Sequence, residues 1–431
     1  MCVNHSGEIT MTHEKGVNGR AGISRRNLVK AGASGLVTGV AGAIPFARSA
    51  LAAEPIKIGV LLPKSGTYAV QGEQGYNGAV IAVEDAKSQV LGRHIELVWL
   101  DENSPQGTQQ NMERLIKQEK AVAVQGGISS GDILAIMPVA EREKRLLMAS
   151  GPNASEITGA NCGRYTFRVD LPNYETTRSV YSKLAKSGKN WYFLYASYAW
   201  GIDGFAQMSE LLKADGGKVV GADQTPLGTT DYSSFILKIM AAKPDAIFLG
   251  VGGSDLTNFL KQFHQMGLTG KIPVSSLVCN DTDFWSAGPE ATTGIYPKIW
   301  NYTGAQNTEL SKSFVKHYMD KHKSAPEAQA WQDWFGMTAI ITAIRETKST
   351  DSTKLVEFLE SHKFEGYKEK PIYFRSWDHQ LIQPTLVVEV KKKITDKYDY
   401  FDVVESVPAD GQTFDKLYGG KNGTQCKMPA A

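Results

Sequence analysis

An alternation of short apolar strands with longer helical patterns runs twice through this 431-residue sequence and restricts its fold more than any other feature. The first run reads as strands at 56–62, 94–100, 121–125 and 145–149, separated by helical periodicity at about 72–88, 106–118 and 132–144. The second reads as helices at about 173–186, 202–214, 232–242 and 255–266, with strands at 191–195, 218–222, 246–250 and 273–278. The stretch Ile56-Lys57-Ile58-Gly59-Val60-Leu61-Leu62 is apolar at nearly every position instead of every second one, as in a strand covered on both faces. Strands of that kind joined by helices predict an α/β class with doubly wound parallel sheets, right-handed crossovers placing helices on both faces. The chain is too long for one ordinary core, so the two runs are expected to form two lobes.

Past about residue 300 come two more helices, 309–322 and 329–346, and an antiparallel addition at 371–374 and 381–390. A chain that builds two units and then revisits both leaves several connections between them, a multi-crossing hinge of the Venus-flytrap kind. The expected division is an export signal at 1–52, lobe 1 from 53–170 plus about 300–350, lobe 2 from 171–299 plus about 351–393, and a C-terminal tail at 394–431. Ligands of open α/β sheets sit at the carboxyl ends of the strands, and a cleft between lobes favours a small molecule.

Hydrophobic content of 42% and charged content of 21% exclude a disordered chain. Lys and Arg number 47 against 45 Asp and Glu, which leaves no electrostatic footprint for nucleic acid. The N-terminus carries paired Arg25-Arg26, a Gly-interrupted apolar run from Ala31 to Ala47, and a small-residue site before Ala53. This pattern reads as a twin-arginine-like export signal cleaved near Ala52, and the apolar run is too short and Gly-rich for a membrane span. Leu28 and Val29 replace the usual Phe and Leu, so Sec export is the alternative; either route leads to the periplasm. Cys2 leaves with the signal. Of Cys162, Cys279 and Cys426, the first and last lie in irregular Gly-containing segments and are candidates for one disulfide, three free thiols being the alternative.

The strand-end loops include Lys64 to Gly72, Gly126-Gly127-Ile128-Ser129-Ser130-Gly131, Gly151-Pro152-Asn153-Ala154-Ser155, Ala196 to Gly201, Gly250 to Asp255 and Cys279 to Asp283. Together with Tyr165 to Val169, 230–234 and 243–248, their order and spacing resemble the extracytoplasmic solute-binding proteins of ABC importers, of the branched-chain amino-acid (leucine/isoleucine/valine-binding) type with the type I periplasmic binding fold. The likeness runs from about Glu54 to Val390. It implies a soluble, monomeric, cofactor-free protein that is not an enzyme. Such a protein hands a small carboxylated solute to ABC permease subunits in the inner membrane; ligand sensing is the other role of the fold. It also implies that Ser129 falls on the serine that holds the ligand. Hydroxyls and amides at a helix start suit a carboxylate, although Ser129 and Ser130 also suit plain helix capping. Gly151 and Asn153 follow the fourth strand, where amino-acid binders carry Thr, and Gln71 stands where they commonly have an aromatic ring. Asp281 and Ser254 are candidates from the second lobe, Asp281 for an ammonium. Tyr68, Tyr198 and Trp200, with Phe284 and Trp285 nearby, would wall an apolar or aromatic ligand, so an aromatic carboxylate rivals leucine.

Gly127-Ile128-Ser129-Ser130-Gly131 also matches the G-x-S-x-G of an exported α/β-hydrolase, with Ser129 as nucleophile and His317, His322, His362 or His379 as base. The second α/β run has no place in that fold. No metal, dinucleotide or phosphate-loop motif is present in the sequence.

Overall fold

The computed structural model describes residues 53–304, 307–408, 413–421 and 423–428; the expected export signal lies outside the described residues. Lobe 1 is laid down first, as β1 (Ile56–Leu62), α1 (Ala69–Asp85), β2 (Gln89–Val90), β3 (Arg93–Asp101), α2 (Pro105–Lys117), β4 (Ala123–Gly126), α3 (Ser130–Arg142), β5 (Leu146–Ala149) and β6 (Thr166–Arg168). Its sheet has the order β2-β3-β1-β4-β5-β6 and is parallel apart from the β2–β3 hairpin. Strand β1 is central, Ile58 lying between Leu97 and Ala123, which explains its unbroken apolar run.

Lobe 2 follows, as α4 (Asn173–Leu184), β7 (Asn190–Ala196), α5 (Ala199–Ala214), β8 (Lys218–Thr225), α6 (Ser233–Ala242), β9 (Ala246–Gly250), α7 (Ser254–Gln265), β10 (Val274–Ser276) and α8 (Asp281–Ala287). Its parallel sheet has the order β10-β9-β7-β8. The remainder comprises β11 (Ile295–Lys298), α9 (Glu309–His322), α10 (Ala328–Thr347), α11 (Ser352–Ser361), β12 (Lys363–Phe364), β13 (Ile372–Phe374), β14 (Leu381–Ile382), β15 (Thr385–Val390), β16 (Phe401–Val407) and α12 (Phe414–Tyr418). Helices α9 and α10 pack on α1, and α10 is buried almost all round, as a helix enclosed by a lobe must be. Among the described residues no helix is long and apolar enough to cross a membrane.

The chain crosses between lobes at 169–172, between β11 and α9, and at 383–384. Three features depart from the sequence-based division. Helix α11 packs on α10 and β5, and β12–β14 pack with it, so 352–382 stand with lobe 1. The apolar run 381–390 is two strands, because the chain turns at Gln383-Pro384 from β14 of lobe 1 into β15, which pairs with β11 and β16. The supposed tail contributes β16 to that sheet and lays α12 on α4. Beyond α12, Cys426 is joined by a disulfide to Cys162 in the loop between β5 and β6, while Cys279 is free and buried.

Candidate functional site

Each sheet has one place where the winding direction reverses. In lobe 1 it lies beside β1, whose neighbours are β3 and β4; in lobe 2 it lies beside β7, flanked by β8 and β9. The loops at the carboxyl ends of these strands diverge there and leave a crevice. Gly126 and Gly127 shape the lobe 1 side, with φ of 125° and 92°. A Cβ on Gly126 would stand 2.0 Å from the Leu61 carbonyl oxygen, so only glycine fits where β4 ends beside β1.

Lobe 1 supplies Tyr68 before α1, Ile128 before α3, Gly151 and Asn153 after β5, Asp170 after β6, and Gln329 and Gln332 from the start of α10. Lobe 2 supplies Tyr198 and Trp200 at the start of α5, Gly252 after β9, and Val278 and Asn280 after β10. These residues line two adjoining cavities of about 20 Å³ each, which share Asn153, Asp170, Val278 and Asn280. The lobes touch directly around them. The Tyr68 and Tyr198 hydroxyls are 2.7 Å apart, the Gln71 amide donates to Asp283 at 2.5 Å and to Thr282 at 3.1 Å, and the Ser254 N–H donates to the Thr67 carbonyl at 3.0 Å. This is the closed form of a two-lobed molecule.

Electrostatically the cleft is acidic. Asp170 is buried, and burial raises its pKa to about 7 against the opposing pull of the Leu171 N–H, the Gln332 and Asn153 side chains and the Arg168 charge. Burial likewise lifts Asp283 to about 8. Among the described residues no Lys or Arg lines either cavity.

Of the residues singled out in the sequence, Tyr68, Gly151, Asn153, Tyr198 and Trp200 line the cavities. The Trp200 Nε1 is buried without a hydrogen-bond partner. The others do different work in this closed form. The Ser129 hydroxyl accepts from the Asp132 N–H as the cap of α3, and the Ile128 and Ser129 amides donate to the buried Glu102 carboxylate at 2.7–3.0 Å. The Ser130 hydroxyl accepts from the Ala154 N–H. Gln71 and Ser254 make the interlobe bonds given above. Asp281 is spoken for by Lys298, both side chains being wholly buried, so its carboxylate is not open to an ammonium. Phe284 belongs to the lobe 2 core, and the Trp285 Nε1 donates to the Tyr398 carbonyl. The hydrolase arrangement is absent among the described residues. His379 pairs with Glu360 and Thr166, His317 pairs with Glu84 and Asp85, His322 packs at a tilt against Tyr318, and His362 stacks on Phe358. Sequence reasoning passed over Asp170, Gln329 and Gln332. Asp170 lies just beyond a strand end, and the two glutamines sit three apart in the first turns of a helix rich in buried apolar residues, which are the signals that could have marked them.

The family model described as periplasmic binding protein matches residues 55–395. This chain belongs to the periplasmic binding protein family. Among relatives of this periplasmic binding protein, the Leu/Ile/Val-binding protein homolog 4 of Brucella melitensis is 26% identical over 370 residues, covering 80% of this chain and 86% of its own. A periplasmic binding protein from Burkholderia mallei superposes with a TM-score of 0.78 at 27% identity, covering 86% of this chain and 98% of the other. A solute-binding protein of an ABC transporter from Rhodopseudomonas palustris, solved with 3,4-dihydroxy benzoic acid, shares the fold at a TM-score of 0.74 and 24% identity, covering 81% and 96%. The family and these relatives share a binding role.

Proposed function

We propose that this periplasmic binding protein captures a small amino acid of the branched-chain or hydrophobic class and delivers it to the permease of an ABC importer. The carrying observation is Asp170, a buried carboxyl that lines both cavities where no lysine or arginine does. An ammonium is the ligand group that satisfies it. Asn153 and the Gly151 backbone are the groups for the ligand carboxylate. Tyr68, Tyr198 and Trp200 cover the apolar side chain. The two cavities, about 20 Å³ each, are too small to hold a leucine, so the ligand enters an opened cleft and the lobes close over it less tightly than here. Contacts to both lobes exist only after closure, and the ligand therefore shifts the hinge population.

The Brucella relative carries a Leu/Ile/Val-binding name, which supports this reading. The aromatic walls support a second one, an aromatic carboxylate, the ligand class bound by the Rhodopseudomonas protein. The export signal at 1–52, cleavage near Ala52, and a monomer free in the periplasm complete the proposal. A thermal-shift panel on the chain from Ala53 tests it. Leucine, isoleucine or valine at 100 times its dissociation constant should add about 2.7 kcal/mol of stability. A shift with benzoates and none with any amino acid would replace the first reading by the second.

A further inference from the structure

We propose that the Cys162–Cys426 disulfide is a clasp across the hinge, which fastens the C-terminal segment of lobe 2 to lobe 1 and limits how far the cleft opens. Among the described residues, backbone connectivity alone gives three interlobe crossings. The C-terminal segment leaves the last of them on the lobe 2 side: β16 pairs with β15, Glu405 meets Lys183 of α4 at 2.7 Å, and α12 packs on α4. Helix α4 itself packs on α5, β10 and β11 and so belongs to lobe 2. The segment then changes sides. The Gly419 carbonyl accepts from Arg375 of lobe 1 at 2.7 Å, and Thr424 lies against Gly159 in the loop between β5 and β6. Cys426 ends the passage in a covalent bond to Cys162 of the same loop, 264 residues earlier in the chain.

The clasp lies beside the other crossings, since the Tyr418 hydroxyl donates at 2.8 Å to the carbonyl of Gln383, where β14 gives way to β15. It also spans a gap. A cavity of about 210 Å³ is lined by Ser155 and Thr158 of lobe 1, Tyr174 and Gln207 of lobe 2, and Tyr418 and Thr424 of the segment. Movement of the lobes therefore deforms this space and the segment over it instead of a packed core. Between Gly419 and Thr424 the chain can extend to at most about 18 Å, so the bond limits separation without locking the closed form. Removing the bond frees open arrangements that the clasp excludes, and the ligand-free population moves toward wider opening.

The test needs no knowledge of the ligand, so its failure is separate from any failure of the amino-acid reading. Small-angle X-ray scattering is recorded on the ligand-free chain from Ala53, oxidised, treated with dithiothreitol, and as the Cys162→Ser/Cys426→Ser double variant. The expected result is a larger radius of gyration in both disulfide-free samples than in the oxidised protein. Faster amide hydrogen exchange at Leu171 and Gln383, with unchanged exchange in β1 and β7, should accompany it. If the double variant does not fold, the dithiothreitol sample decides. Identical scattering in the oxidised and reduced proteins, with only a lower melting temperature, would reduce the bond to a staple for the C-terminus and overturn the proposal.

Discussion

If Asp170 holds an ammonium, affinity must depend on its ionisation. Burial lifts its pKa to about 7 in the closed form. Only the ionised carboxylate attracts an ammonium, so about a tenth of the molecules are competent at pH 6 and about nine-tenths at pH 8. The dissociation constant for leucine should therefore fall about tenfold between those values, close to 1.4 kcal/mol, while the amino group of leucine stays protonated. Binding near pH 7 should release protons, which calorimetry in buffers of different ionisation enthalpy reads directly. Asp283, raised to about 8 by burial although the Gln71 amide and the Gly253 N–H pull it down, titrates close to the same window. Asp170→Asn isolates the two. That variant should bind about 30-fold or more weakly, the cost of leaving a buried charge without its partner, and should lose the rise in affinity above pH 6. Leucine binding that is flat or weaker with increasing pH in the parent chain, and equal in Asp170→Asn, would refute the role of Asp170. A benzoate should show the reverse dependence, since it binds best where the carboxyl keeps its proton.

Two further perturbations probe closure and the lobe 2 site. Tyr68→Phe removes the only polar contact between Tyr68 and Tyr198 without changing shape, so ligand affinity should drop by roughly 1 kcal/mol with the melting temperature little altered; an unchanged dissociation constant would show that the hydroxyl pair does not hold the lobes together. Lys298→Met leaves Asp281 as a buried, unpaired acid and should cost about 3–5 kcal/mol in urea unfolding at pH 8. Lowering the pH should recover part of that loss as Asp281 takes up a proton, and a loss independent of pH would mean that packing, not charge, sets it.

The strands and helices of both lobes were legible because each obeys a local rule. Central strands such as β1 must be apolar on both faces, and the helices between them carry a 3.6-residue pattern that depends on no distant contact. Helix α11 carries the same pattern, with Leu355, Val356 and Leu359 buried, and was overlooked all the same; strand β16 was missed for the converse reason. Strand β16 is exposed at alternate positions and pairs with a strand eleven residues or more upstream, and neither feature stands out in sequence. The site was legible in outline. The loops that carry Tyr68, Gly151, Asn153, Tyr198 and Trp200 follow predicted strands, and strand ends are where a doubly wound sheet binds. Ser129, Ser130 and Asp281 show the limit of that reasoning, because a hydroxyl at a helix start and an acid in a loop can serve a ligand or the fold.

By itself, then, the sequence determined two α/β lobes, a cleft between them, and the loops that face it, since periodicity and strand-end position are local properties. Only the tertiary structure decided which polar groups remain for a ligand. Glu102 takes the amides before α3, Lys298 takes Asp281, and Asp170 is left facing the cavity from a strand end 160 residues before Gln329 and Gln332 of α10 meet it there. Those pairings form between residues distant in the chain, and the free energy of a buried charge depends on which partner the fold brings to it.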